Sequence, residues 1–384
     1  MAKEKEHHQL RTLKKKIFLL YPYYWPHYKA GGPVQSLYNL CAFFKSDFSF
    51  YLVSLDRDMD GSEPSSEVHG DAWNTGPHGE QVFYSSRISW QLVKKLINEI
   101  RPDVVFINGI FNINTTLPAL FYGKRIKSRI VISPRGMLQA WGLQRNKWVK
   151  KLFLILLRIC LKKQESWHAT DQQEKKDIHQ YFGSKQVVFI ASNIPRSLSS
   201  SHSVSFRDDR GKIKLVFLSL INPNKNLHLV IEAVNGYSSD FSLDIYGPVI
   251  DKGYWAMCEA KIAGSSAITY KGSILPWTVP SVIQYYHFFI LPTQGENFGH
   301  AIFDALSAGV PVAISKNTPW LEIDNMGAGY YFETISAPAI AAVLEKMVRL
   351  TPESYHHFRI NSWKFASDYL NQKDYREEYA FLLD

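Results

Sequence analysis

The stretch from Leu291 to Val312, LPTQGENFGHAIFDALSAGVPV, decides the fold class of this 384-residue chain. An apolar run ends at Pro292, a polar loop follows, and an amphipathic run begins near residues 298–300, which predicts a strand, a loop and a helix. Backbone N–H groups at such a helix start bind anions and hydroxyls. Glu296 and Asp304, about two helical turns apart, can face one ligand. The same pattern is also typical of an ordinary helix start with a favourable carboxylate.

Short apolar runs alternate with amphipathic stretches along the whole chain. This alternation is typical of parallel sheets covered by helices on both faces. Ligands of such sheets bind at the carboxyl ends of the strands, and with two sheets the cleft between them is the expected site. The predicted strands are 16–22, 50–55, 81–85, 103–109, 129–134, 166–170 and 186–192, then 214–220, 241–247, 267–272, 287–292, 311–315 and 329–333.

A Ser-rich polar segment separates the two groups of strands and predicts a linker at 197–211. The sequence therefore predicts an α/β protein with one domain at 1–196 and a second at 212–366. The last segment, 367–384, is helical by its periodicity and is a candidate to pack back across the cleft.

The composition is globular, with 46% hydrophobic and 21% charged residues, which argues against a disordered or fibrous chain. The net charge of +9 suits a nucleic acid, an anionic membrane surface or a phosphorylated small molecule, without choosing among them. The three cysteines are far apart and form no CxxC pair, so neither a zinc site nor a disulfide framework is predicted, and a reducing compartment fits best.

The N-terminus is highly charged and lacks the apolar core of a secretory signal. The longest apolar run, Leu152–Leu161, contains Arg158 and is about half the length that spans a bilayer. These features predict a cytoplasmic protein. The surrounding stretch, 144–163, has clustered Lys and Arg, so it suits either an anionic membrane surface or a buried helix with solvated ends. Its apolar residues run nearly all round the helix, which favours burial.

The 291–312 stretch resembles the Glu-x7-Glu signature of retaining glycosyltransferase family 4, among the group 1 glycosyltransferases. That family has the GT-B fold, in which two Rossmann-like, doubly wound parallel-sheet domains face a central cleft. The order and spacing of further pieces extend the resemblance over nearly the whole chain. These pieces are GGPVQSLYNL (31–40), ISPRGMLQAWGL (132–143), WHATDQQE (167–174), SLINPNKNLHLVIEAV (219–234), LDIYGP (243–248) and TPWLEIDNMGAGYYF (318–332).

The resemblance implies a role for each matching residue. Glu296 would contact the donor sugar, and the backbone of 297–299 would contact sugar hydroxyls and phosphate. Asp304, in place of the family's second Glu, would contact the ribose, and Lys225 would clamp the diphosphate. A fixed cation there stabilises the leaving group without a metal. The donor-binding positions implied besides Lys225 and Glu296 are Gly31, Gly32, Ser219, Gly272, Ser273, Ile274, Asn297, Phe298, Gly299, His300 and Asp304.

Two positions depart from the family pattern. Leu220 stands where an Arg usually joins the Lys on the diphosphate. Arg135 stands where many members have His, and we count it with Glu296 and Lys225 as catalytic. It can donate charge-assisted hydrogen bonds to a phosphate, but it cannot act as a general base. A purely structural ion-pair role for Arg135 is the alternative.

No metal site is predicted. Asp56-Arg57-Asp58 has the form of a DxD metal motif, but it lies in an acidic polar loop and the resemblance is to a metal-independent fold. The chain also lacks a serine nucleophile elbow and an HExxH motif, so hydrolases and metalloproteases have no support.

The sequence thus predicts a metal-independent glycosyltransferase that needs no cofactor and does not bind nucleic acid. It would move a hexose-type sugar from a nucleotide diphosphate sugar to a hydroxyl of a glycan or polyprenyl-linked glycan. The resemblance implies retention of the anomeric configuration and a role in surface polysaccharide biosynthesis. Two alternatives stay open. One is a nucleotide-sugar 2-epimerase on the same fold. The other is a non-catalytic sugar-nucleotide or glycan-binding protein, which Leu220 and Arg135 motivate.

Overall fold

The structure of the protein is a computed structural model that describes residues 14–59, 61–139, 142–143, 146–161, 165–198 and 211–384. The charged N-terminal residues and most of the linker predicted at 197–211 lie outside the described residues.

An eight-stranded sheet forms the first half of the chain, in the order β3-β4-β2-β1-β5-β6-β7-β8. Every strand pair is parallel except β3 with β4, which is antiparallel at the sheet edge. The strands are β1 (Lys16–Leu20), β2 (Ser49–Leu55), β3 (Ala72–Thr75), β4 (Gln81–Ser85), β5 (Val104–Asn108), β6 (Arg129–Ser133), β7 (Ser166–Ala169) and β8 (Val187–Ile190).

Helices cover both faces of this sheet because its central strands are apolar on both sides. Successive side chains of a strand point to opposite faces, so Phe18 and Leu20 pack in one core while Ile17 and Leu19 pack in the other. The helices that follow these strands are α1 (Gly32–Phe44), α2 (Trp90–Ile100), α3 (Ile113–Arg125), α4 (Lys147–Cys160) and α5 (Gln172–Phe182).

A second, six-stranded parallel sheet has the order β11-β10-β9-β12-β13-β14. Its strands are β9 (Ile213–Leu218), β10 (Phe241–Tyr246), β11 (Ile268–Tyr270), β12 (Phe288–Leu291), β13 (Val312–Ser315) and β14 (Gly329–Phe332). Its helices are α6 (Leu227–Asn235), α7 (Lys252–Ile262), α8 (Val279–Ile283), α9 (His300–Ser307), α10 (Ala337–Val348) and α11 (Pro352–Asn371).

The chain returns to the first sheet at its end. Helix α12 (Tyr375–Leu383) contributes buried side chains to the core beside β1 and α1. Phe381 stacks on Phe189 of β8, with ring centroids 5.5 Å apart. The predicted C-terminal segment 367–384 therefore contains the end of α11 and all of α12, and the crossing lies between Asn371 and Tyr375.

All thirteen predicted strands are present, whereas β3 was not predicted. The interpretation that favoured burial of the helix within 144–163 is wrong. Of the residues of α4, only Leu154 and Leu157 are buried. Among the described residues, no helix combines the length and apolar character needed to cross a bilayer.

Candidate active site

A cleft of about 450 Å³ lies between the carboxyl ends of the two sheets. It brings together twelve of the fourteen predicted site residues. These are Gly31, Gly32, Arg135, Ser219, Lys225, Ile274, Glu296, Asn297, Phe298, Gly299, His300 and Asp304. Gly272 and Ser273 do not line this cleft, although the neighbouring Ile274 does.

Lys225 and Glu296 form an ion pair on one wall. Lys225 Nζ donates to Glu296 Oε1 at 2.5 Å and lies 3.5 Å from Thr293 Oγ1. The short turn that carries Lys225 is tied to the Glu296 loop because Asn226 Nδ2 donates to the carbonyl of Pro292 at 2.7 Å. The cation and the carboxylate are therefore held together by backbone as well as by charge.

The loop after Glu296 ends at Gly299, and α9 begins at His300, within the range predicted. Gly299 has φ +78°, and a Cβ there would lie 2.9 Å from Ile302 Cδ1, so glycine suits this position. Phe298 is anchored by Trp320, whose Nε1 donates to its carbonyl at 2.5 Å. The start of α9 is thereby fixed with its free N–H groups at the cleft.

Asp304 lies on α9 and is buried. Burial raises its carboxyl pKa to about 6, while the Arg196 guanidinium opposes this rise. Arg196 Nη1 lies 3.9 Å from Asp304 Oδ2. The sequence did not single out Arg196, which follows the end of the first domain and reaches the second.

His300, the first residue of α9, connects the two domains. Its Nε2 lies 2.9 Å from Ser36 Oγ on α1. Burial, with smaller effects from Arg196 and Arg135, lowers the His300 pKa to about 3. The imidazole is therefore neutral near physiological pH, where it is a poor proton acceptor.

Arg135 lies on the opposite wall, at the start of the loop after β6. Its Nε donates to Asn108 Oδ1 at 2.5 Å, and Nη1 donates to Asn193 Oδ1 at 2.6 Å. Its backbone has φ +56°, a left-handed conformation that is uncommon outside glycine. Burial lowers its pKa from the ordinary value, but an arginine stays protonated. The amide oxygens of Asn108 and Asn193 thus hold the Arg135 guanidinium in place at the cleft. Both partners are neutral, so the positive charge of Arg135 is not compensated by either of them.

A buried carboxylate supports the Arg135 loop from behind. Glu174 accepts hydrogen bonds from the backbone N–H of Gly136 at 2.6 Å and from that of Thr170 at 2.8 Å. Thr170 Oγ1 in turn lies 2.7 Å from Asn297 Oδ1 of the second domain. The Arg135 loop and the start of α9 are thus linked across the cleft.

Gly31 of the first domain and Leu220 of the second lie close together. Gly31 has φ +75°, and a Cβ there would lie 3.0 Å from Leu220 Cδ1. Leu220 thus supplies no charge to the cleft. The lysine and arginine side chains among the described residues that line it are Lys225 and Arg135.

Several lining residues were not predicted as site residues. Tyr21 and Tyr28 lie in the loop before Gly31, whose sequence YPYYWPHYKA (21–30) is rich in aromatic residues. Five further polar residues line the cleft. Their local sequence does not predict this position, because tertiary packing brings them to the cleft. They are Gln35, Ser36, Asn193, Asn222 and Asn224.

The carboxylates of the DxD-like motif serve neighbouring backbone and side chains. Asp58 accepts hydrogen bonds from the N–H groups of Tyr28 and Lys29, at 2.9 and 3.1 Å, and thereby fixes the loop that leads to Gly31. Asp56 pairs with Arg57 at 2.8 Å. Within the described ranges, no group of three or more His, Cys, Asp or Glu side chains is arranged to hold a metal ion.

Comparisons with known proteins agree with this architecture. Residues 201–365 match the family model of group 1 glycosyl transferases. Anabaena HepE, solved with UDP-glucose, aligns with TM-score 0.72 at 13% identity, covering 96% of this chain and 99% of that one. The fold is GT-B.

Two further GT-B neighbours show the same coverage. A TarM variant from S. aureus, solved with fondaparinux, α-GlcNAc-glycerol and UDP, aligns with TM-score 0.71 at 13% identity, covering 96% of this chain and 100% of that one. WaaG, a glycosyltransferase involved in lipopolysaccharide biosynthesis, aligns with TM-score 0.64 at 13% identity, covering 96% and 99%. Among curated proteins, no sequence matches this chain significantly.

Proposed function

We propose that this protein is a retaining glycosyltransferase that moves a hexose-type sugar from a nucleotide diphosphate sugar to an acceptor hydroxyl. The observation that carries the proposal is the convergence of Lys225, Glu296 and the start of α9 in one cleft of a GT-B fold. This set offers a cation for a diphosphate, a carboxylate for sugar hydroxyls and N–H groups for either. The family model over residues 201–365 supports the same reaction class.

The donor would lie against the second domain. Lys225 Nζ would contact the diphosphate, Glu296 the sugar, and Asp304 the ribose. HepE binds UDP-glucose and the TarM variant binds UDP, so uridine diphosphate sugars are the first donors to test. The nucleobase of the donor would lie near Ile274, beside Gly272 and Ser273, which precede it in the chain.

In the reaction, the bond from the anomeric carbon to the leaving phosphate breaks as the bond to the acceptor oxygen forms. Lys225 and Arg135 would stabilise the negative charge that grows on the diphosphate. Neither cation accepts a proton, and neutral His300 is a poor base. The acceptor proton would therefore pass to a phosphate oxygen of the leaving group. The acceptor oxygen would then bond to the anomeric carbon on the face from which that group departs, so the anomeric configuration is retained.

We further propose that the protein requires no metal or other cofactor, because Lys225 and Arg135 supply the positive charge that a metal would otherwise bring. Its acceptor would be a glycan or polyprenyl-linked glycan at the cytoplasmic face of the cell membrane. The role of WaaG in lipopolysaccharide biosynthesis supports a related place in surface polysaccharide assembly.

A donor screen tests the reaction class. Thermal shift across UDP-, GDP-, ADP- and CMP-sugars identifies the donor, and turnover with acceptor is then followed by NMR. We expect a product with the donor's anomeric configuration, formed equally well with EDTA. An inverted product would contradict retention, and loss with EDTA that manganese restores would contradict metal independence.

The two alternatives give different results in the same experiment. A 2-epimerase would convert the donor sugar into an isomer without any acceptor. A non-catalytic binding protein would bind nucleotide without turning over donor across a range of acceptors.

A further inference from the structure

Helix α4 presents an apolar face to solvent. Trp148, Leu152 and Ile159 are each at least 70% exposed, more than is usual for single surface apolar residues. They recur at the spacing of one helix face. The full set of exposed apolar side chains on this helix is Trp148, Val149, Leu152, Ile155, Leu156 and Ile159. Such a continuous stripe marks a surface that binds another apolar phase.

The charged residues on the same helix indicate which kind of surface the apolar face binds. Lys147, Lys150, Lys151 and Arg158 lie on α4, which contains no acidic residue. Lys147, Lys151 and Arg158 are exposed. Lysine and arginine stems extend along apolar surface while their charged ends reach a polar boundary. An apolar face bordered by cations is the pattern of a helix lying in the interface of an anionic bilayer.

A second copy of the chain is a poorer occupant. A two-fold contact through α4 would bring the exposed cations of each helix, Lys147, Lys151 and Arg158, close to those of the other, with no carboxylate on either helix to compensate them. Like charges brought together in this way are repulsive. A bilayer that contains acidic lipids instead supplies apolar chains and negative charge in the same geometry.

The chain connects this face to the cleft. Met137 lines the cleft, and Gly142 lies against the backbone of Met137, where an added Cβ would be 2.9 Å from its carbonyl oxygen. Lys150 Nζ donates to the Gly142 carbonyl at 2.5 Å. Helix α4 is therefore attached within a few residues to the loop that carries Arg135.

We infer that α4 docks on an anionic membrane surface through its exposed apolar face and holds the Arg135 side of the cleft toward lipid-linked acceptors. That the acceptor is lipid-linked rests on the proposed function, whereas the docking of α4 on a membrane does not. Vesicle binding is measured without donor or acceptor, so failure of one does not imply failure of the other.

Sedimentation with phospholipid vesicles tests the docking. We expect the parent to bind vesicles with roughly 30% phosphatidylglycerol at least tenfold more tightly than phosphatidylcholine vesicles, and to be released by about 0.5 M NaCl. The double substitution Leu152→Glu and Ile159→Glu should reduce binding at least about tenfold. Both side chains are exposed, so the variant should keep the parent's melting temperature.

A matched variant controls for added negative charge. Leu321→Glu with Met326→Glu places two carboxylates at exposed apolar positions of the second domain. This variant should bind vesicles more strongly than the α4 variant. Equal vesicle binding by the parent and the α4 variant would overturn the inference, as would equal binding to anionic and neutral vesicles. The inference would also be overturned if the parent bound no vesicles and instead formed a dimer that the α4 variant does not form.

Discussion

Lys225 Nζ and Glu296 Oε1 lie 2.5 Å apart, and both side chains are largely buried in the cleft wall. The residue proposed to hold the diphosphate is thus the ion-pair partner of the residue proposed to hold the sugar. A bound donor would place negative phosphate beside Lys225 and hydroxyl groups beside Glu296. The pair then forms one surface with two separate tasks, and substitutions can separate them.

Glu296→Gln should impair transfer while leaving affinity for the free nucleotide diphosphate intact or slightly tighter. The amide keeps the shape but removes the charge that competes with phosphate for Lys225. Lys225→Ala should weaken nucleotide diphosphate binding by about 1.5–3 kcal/mol, the range for a hydrogen bond to a charged group. This corresponds to roughly ten- to a hundredfold in Kd. Isothermal titration calorimetry with both variants measures these effects.

The control for Lys225→Ala is Lys261→Ala, which removes a lysine paired with Glu232 on the surface. It should bind nucleotide like the parent. If Lys225→Ala also binds like the parent while Glu296→Gln loses nucleotide affinity, the two residue roles are wrong even where the reaction class is right.

Asp304 should make folding stability depend on pH. Its pKa rises from 3.8 to about 6 on folding, because burial disfavours the charged carboxylate. The folded state therefore binds the proton more tightly than the unfolded state, so stability falls as pH rises from 3.8 to about 6 and stays lower above that. Asp304→Asn should be more stable than the parent by about 3 kcal/mol near pH 8, and equally stable near pH 3.

The same substitution should harm donor binding, since the amide is a weaker acceptor for ribose hydroxyls than a carboxylate. In the parent, KM for the donor should rise as pH falls through about 6, and the variant should lack this step. Denaturation and initial-rate series across pH measure both effects. A variant that is less stable than the parent at every pH would show that the carboxylate is structural.

Gly31→Ala should weaken donor binding as well as folding. The substitution places a Cβ 3.0 Å from Leu220 Cδ1, at a residue with φ +75°. Gly79→Ala is the matched control, since Gly79 has φ +90° and no atom near the added Cβ. Both should lose roughly 1–3 kcal/mol of stability, because a positive φ is unfavourable for alanine. Only Gly31→Ala should raise KM for the donor, and adding Leu220→Ala should lower it again. Equal KM values for the two glycine variants would contradict a close approach of the domains at Gly31.

Much of the fold was predictable because parallel strands buried on both faces are continuous apolar runs. The runs at β1, β5 and β12 are unmistakable, and their order predicts two sheets. Strand β3 was missed because Ala72–Thr75 is a four-residue antiparallel edge strand without a buried residue. Helix α4 was misjudged because apolar residues occupy most of its circumference. A helical pattern alone does not say which apolar face the rest of the protein leaves uncovered.

The site was predictable where one motif carries it and not where the domains meet. Lys225 and Glu296 were recognised through the family resemblance, and the ion pair that joins them is seen only in the structure. The contacts of Ser36 with His300 and of Arg196 with Asp304 join residues far apart in the chain. Nothing in the local sequence of these residues signals that contact. The same resemblance implies a donor contact for Gly272, which in the structure lies beside the cleft, where its carbonyl accepts a hydrogen bond from the N–H of the lining residue Gly247.

Arg135 and Leu220 together pose the last test. Leu220 stands where the family resemblance implies a second cation beside Lys225, and Arg135 reaches the cleft from the opposite wall. Its Nε and Nη1 are held by the amide oxygens of Asn108 and Asn193, and Nη2 takes part in neither bond. The geometry thus leaves a charged N–H group free of these two fixed contacts.

Arg135→Gln should weaken nucleotide diphosphate binding about tenfold and lower kcat, because one of two cations on the diphosphate is lost. Adding Leu220→Arg should restore much of the affinity, since it places a cation at the position that faces Gly31 and the cleft. Leu220→Met in the same background controls for side-chain length and should restore nothing. Calorimetric titration and initial rates measure the three variants. If Arg135→Gln lowers the melting temperature while nucleotide affinity and kcat match the parent, Arg135 only joins Asn108 to Asn193 and takes no part in catalysis.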